Sequence, residues 1–145
     1  MSVLATVRPD DWNLPLFVHI IGAMLLVGAL VLVLFALAGR DMRLAFRALL
    51  LGVLPGWVVM RVGAQWIASK EGYDDSGVEV PSWVDVGFIV SDPMLLFIII
   101  ATVCAGIAAS RQRRGGALRG TALALTGIML AACLVAVWAM STKPT

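Results

Sequence analysis

Four long apolar runs, at about residues 14–38, 48–68, 93–110 and 121–140, dominate the chain, and each is closed by charged or turn-forming residues. A helix rising ~1.5 Å per residue needs about 20 apolar residues to cross ~30 Å of hydrocarbon, so each run is long enough for one crossing. Pro15 suits the first turn of the first span. Pro55 inside the second predicts a kink, because it removes one backbone donor and crowds the preceding turn. The polar stretch between the second and third runs contains Ser82 followed three residues later by Asp85, in the form of a capping box. That places a short interfacial helix on WVDVGFIV, with the third span starting afresh at Pro93 and capped by Asp92 or Ser91. The expected architecture is all-α: one membrane domain, a four-helix transmembrane bundle of up-down antiparallel order, with a short interfacial helix between spans 2 and 3.

Small residues sharpen the packing expectation, since helices in lipid gain little from apolar burial and meet where their backbones approach closely. Gly52, Gly56 and Gly63 fall within roughly 40° of one another on the second span, which marks the face that meets a neighbour. Gly120, Ala124, Gly127 and Ala131 recur at heptad-like spacing on the fourth and predict an inward seam there.

Composition agrees with a membrane and removes other classes. The 145 residues are 61% hydrophobic and only 14% charged, with a mean hydropathy of +0.96, leaving little for a soluble module. The net charge of +2 does not imply a nucleic-acid partner, because the basic residues flank apolar spans and form no separate polar face. Cys104 and Cys133 sit inside apolar runs without CxxC spacing and read as small buried hydrophobes. No small-residue cleavage site precedes the first run, so its helix is expected to be retained.

Charge also sets orientation. Arg40, Arg43, Arg47, Arg111, Arg113, Arg114 and Arg119 fall on one side, whereas Arg8, Lys70, Lys143 and every acid but Asp41 fall on or toward the other. Basic loops stay in the cytoplasm, which puts both termini and the acidic loop outside. Trp12, Trp66, Tyr73, Trp83 and Trp138 cluster toward that same outer interface.

Few polar groups lie within the spans, and each calls for a reason, since a central Arg costs ~2.5–3.5 kcal/mol on insertion scales. His19 is the sole histidine; Arg61 lies too deep to snorkel with ease; Gln65 sits one turn above it; Asp92 returns to a similar depth from the antiparallel third span. Together they form either a structural ion pair with a helix cap, or a polar pocket, open to the outside, for a small polar or anionic ligand. His19 with Met60, Met94 or Met140 supplies soft donors at one depth, and haem held by two histidines requires a second copy of the chain. The cytoplasmic halves of the spans carry no ionisable relay, against a proton pump acting as a monomer. With no nucleophile beside a base and no phosphate loop, the sequence gives an enzyme nothing to work with.

The stretch FVHIIGAMLLVGALVL, with its early histidine, Gly-Ala pair and second glycine, resembles the opening helix of CopD-type copper-resistance membrane proteins and of related small bacterial integral membrane proteins. The resemblance covers one span in four and implies a role for His19 as a copper or haem ligand, the identity of any cofactor being open. The reading from sequence is thus a small inner-membrane protein of bacterial type. It is expected to be non-enzymatic, acting as a homo-oligomer or as an accessory subunit of a larger membrane complex, with metal or small-ligand handling through the outer pocket as the alternative.

Overall fold

The computed structural model describes residues 14–71, 73, 82–110 and 116–141, and these residues are helical apart from short turns. Helix α1 is Leu14–Ala38, α2 is Met42–Ala48, α3 is Leu54–Glu71, α4 is Ser82–Ser110 and α5 is Gly116–Ser141, with a π-helical turn Leu49–Val53 joining α2 to α3. Four stretches, Leu14–Ala38, Met42–Lys70, Val84–Ser110 and Gly116–Ala139, are long and apolar enough to cross a membrane. α1 packs mainly on the second span and also on α5, α5 packs on α4, and α4 meets the second span chiefly through α2, closing a four-helix ring.

The turn between α1 and α2 is built from backbone bonds. Asp41 N–H donates to the Ala36 carbonyl at 2.8 Å and Arg40 N–H to that of Leu37 at 3.2 Å, while Arg40 takes a left-handed φ of 62°. This is a Schellman closure with arginine at the position glycine usually fills. The Leu37 carbonyl also accepts from Arg119 Nε at 2.8 Å, so α5 fastens the end of α1. Asp41 then caps α2 by accepting from Leu44 N–H at 2.9 Å. The second helix therefore begins at Met42, ahead of the start expected after Arg47, because Asp41 supplies a cap immediately.

Within the second span, Leu54 N–H bonds to the Leu49 carbonyl five residues back. A proline ring one residue further on would crowd the carbonyl four residues behind it, and a widened turn gives it room. The kink expected at Pro55 thus takes the form of a π turn.

α4 differs from expectation. Residues 82–92 are not a separate interfacial helix: α4 runs unbroken from Ser82 to Ser110 with Pro93 inside it, and Asp92 is mid-helix rather than a cap. One missing N–H is tolerated where neighbouring helices cover the backbone.

The core repeats a 4-3-4 spacing on three helices: Leu26, Leu30, Val33, Leu37 on α1; Met94, Ile98, Ala101, Ala105 on α4; Ala122, Thr126, Met129, Cys133 on α5. This is the knobs-into-holes seam of a left-handed bundle. The glycine face of the second span lies against α1 as its spacing predicts. A Cβ on Gly56 would stand 2.7 Å from Leu26 N, one on Gly63 2.6 Å from His19 N, and one on Gly22 would collide with the Met60 backbone. The fourth span reverses expectation: Gly120, Ala124 and Ala131 are exposed, and a Cβ on Gly120 or Gly127 would meet nothing within 4 Å. That stripe is on the outside of the bundle, and the inward face is the one carrying Thr126 and Met129.

Candidate functional site

At the end of the bundle carrying Tyr73, α3 and α4 make little contact, and a cavity of about 290 Å³ opens there. All four spans line it: Leu16, His19 and Ala23 from α1, Met60, Arg61 and Ala64 from α3, Phe88, Ser91 and Met94 from α4, Cys133 and Val137 from α5. Its walls are almost wholly apolar, so the few polar atoms decide what it accepts.

Arg61 is fixed from two sides. Its Nη2 lies 3.0 Å from Asp92 Oδ1, and the guanidinium stands 4.5 Å from the centroid of the Phe88 ring. Asp92 lies 18 residues from the α4 terminus at Ser110, about 27 Å at ~1.5 Å per residue, so the pair sits near the edge of a ~30 Å hydrocarbon slab. Asp92 is 61% exposed and Arg61 26%, which limits what the pair contributes to stability. Arg61 Nη1, by contrast, is buried and has no hydrogen-bond partner among the described residues.

Ser91 is similar. Only 6% exposed, its Oγ has no partner among the described residues, although its carbonyl accepts from Trp57 Nε1 at 3.0 Å and ties α3 to α4. Thr102 and Thr126 instead donate to carbonyls one turn back, Ile98 and Ala122, both at 2.7 Å. A buried donor left unmet costs ~1–3 kcal/mol, and more where it is charged.

His19 sits where Gly63 lets α3 lie against the α1 backbone, and its Nδ1 donates to the Met60 carbonyl at 2.9 Å. A carbonyl only accepts, so Nδ1 carries the proton, and in the neutral ring Nε2 keeps its lone pair. Gln65 is exposed one turn above Arg61 and outside the cavity lining.

Of the four residues that the sequence singles out, the structure pairs Arg61 with Asp92, brings His19 to the same cavity and does not place Gln65 in its lining. Ser91 was visible beforehand only as an alternative cap, and Phe88 as part of an interfacial helix. Their roles depend on α4 continuing through Pro93, which no local signal in the sequence announces. Among the described residues, no three of His, Cys, Asp and Glu converge as a metal site. Comparison with protein-family models, characterised proteins and solved structures yields no match of any kind.

Proposed function

We propose that this chain is a non-enzymatic, multi-pass membrane protein that binds a small, mainly apolar ligand in the cavity between its four spans. The observation that carries this reading is an almost wholly apolar chamber of about 290 Å³ lined by all four spans, with Arg61, whose Nη1 is buried and unpartnered among the described residues, in its wall. Chambers of about this size hold small ligands, and a few placed polar groups orient them. Arg40, Arg43, Arg47 and Arg119 gather at the opposite end, and this supports a cytoplasmic placement of that end with the cavity opening toward the outer face of an inner membrane.

The test is mass spectrometry of small molecules retained by the protein purified in mild detergent. The native chain is expected to hold one species near equimolar amount, and Ala64→Phe, which fills the chamber, to lose it. Equal recovery from both proteins rejects the reading.

A second reading, copper handling, draws on one specific contact. Ligating histidines commonly donate their other N–H to a backbone carbonyl, as His19 does to Met60, and Met60 and Met94 are among the residues lining the same cavity. Anaerobic titration with Cu(I) against a competing chelator tests it: stoichiometric binding lost in Met94→Leu supports copper, and no binding excludes it.

A further inference from the structure

Arg61 Nη1 and Ser91 Oγ are the buried side-chain polar atoms without a partner among the described residues, and both residues line one cavity from facing helices. Resting on the ligand-binding reading above, we propose that the occupant is an uncharged lipophile whose polar end is a carbonyl-type oxygen, of quinone or acyl-ester chemistry.

Charge selects against an anionic occupant. The Arg61 charge is already matched by Asp92 at 3.0 Å, and among the described residues that line the cavity only the protonatable His19 offers another cation. A carboxylate or phosphate brought into this chamber would arrive without a counter-charge of its own, and an unpaired charge is far more costly to bury than a dipole. A neutral oxygen leaves the Arg61–Asp92 pair intact.

The polar groups on offer select for an acceptor. Guanidinium Nη1 donates only, and the Ser91 hydroxyl donates as well as accepts. The complement is an acceptor with available lone pairs, which a carbonyl oxygen supplies and a hydrocarbon does not. Both atoms are covered in the unliganded chain, so a turn of each side chain brings it to the occupant, and the bond formed then satisfies a donor that was unmet.

Shape and access complete the case. Walls formed by Ala23, Ala64, Ile67 and Val137 suit an apolar body. Phe88, held under the guanidinium, supplies a flat apolar side for a ring or an acyl chain. The sparse contact between α3 and α4 at this end leaves a lateral path from the bilayer, so a lipid-soluble molecule reaches the chamber without crossing water.

The experiment uses the full chain in detergent, stripped of bound lipid, with four probes: decylubiquinone, methyl decanoate, sodium decanoate and n-decane. Saturable binding is read by thermal shift and native mass spectrometry. One or both carbonyl probes are expected to bind at least roughly tenfold more tightly than decanoate or decane, and the tighter of the two distinguishes quinone from ester. Ser91→Ala should weaken that probe about threefold to tenfold, the worth of one neutral hydrogen bond, without changing the affinity for decane. Should Ser91→Ala not fold, Ser91→Cys keeps the volume and weakens the donor, and an unchanged affinity in the folded variant counts against the proposal. Preference for decanoate, or equal binding of decane, overturns the carbonyl assignment while leaving the cavity as a ligand site. Binding of none of the four, together with nothing retained on purification, overturns the ligand reading as well.

Discussion

Arg61 on α3 reaches Asp92 on α4 with one guanidinium nitrogen, at 3.0 Å, and buries the other where no described residue accepts its protons. One terminal nitrogen is satisfied and the other is not. The pair joins the two helices that otherwise barely meet at this end of the bundle. Arg61→Met and Asp92→Asn should each destabilise the protein in detergent. The double variant should cost less than the sum by roughly 0.2–1 kcal/mol, the range for an ion pair with one partner well exposed. Thermal unfolding of the four proteins measures this, and additive losses would show that the contact carries no coupling.

Glycines at the α1–α3 contact should be intolerant where those on α5 are not. Gly22→Ala forces a Cβ into the Met60 backbone, which cannot yield as a side-chain tip can, so α1 and α3 must separate. Gly127→Ala meets nothing within 4 Å and is expected to be neutral or to stabilise by up to ~1 kcal/mol, through the lower backbone entropy of alanine in the unfolded chain. Equal melting temperatures for the two variants would contradict the close approach.

The contrast between these glycines also shows where the sequence was informative. Span number and order follow from run length and charge, because a bilayer demands a fixed length of apolar helix. Inward and outward faces are harder, because lipid is as apolar as the bundle interior and the hydropathy of α5 does not tell Thr126 and Met129 inside from Leu134 and Trp138 outside. Small-residue spacing succeeded for Gly56 and Gly63, where the stripe lies opposite a charged residue, and failed for Gly120 and Gly127, where nothing polar fixed the face. Pro93 misled for a related reason. It reads as a helix start, yet the helix passes through it, and that continuity turns Asp92 from a cap into the partner of Arg61.

At the turn after α1, Arg40 occupies a left-handed conformation at φ 62°, which costs a residue with a Cβ ~1–2 kcal/mol. Arg40→Gly removes that cost while keeping the Asp41 and Arg119 bonds to the end of α1, which do not involve the Arg40 side chain. A gain of about 1 kcal/mol is expected in thermal unfolding. A loss instead would mean that the Arg40 charge contributes more than its backbone strain removes.

Orientation is open to direct labelling. With Cys104 and Cys133 replaced, a cysteine at the exposed Gly116 should react with an impermeant maleimide only after the cells are opened, and one at Gly77 should react in intact cells. Labelling of Gly116→Cys from outside would invert the topology, since the arginines at that end would then face outward.

His19 offers the sharpest separation between a tether and a ligand, because its two nitrogens have different tasks. Nδ1 donates to the Met60 carbonyl at 2.9 Å, across the contact where Gly63 lets α3 lie against the His19 backbone. Asparagine places an amide N–H near the Nδ1 position and offers nothing at Nε2, whereas leucine removes both. If His19 is a tether, His19→Asn keeps most of the stability and His19→Leu loses about 1–3 kcal/mol, since the leucine variant removes one side of a buried interhelical hydrogen bond. If Nε2 also holds copper, His19→Asn stays folded and loses the metal, so melting temperature and metal content separate the roles in one pair of variants. His19→Leu melting like the native chain would refute the tether, and the close helix approach at Gly63 would then stand on backbone packing alone.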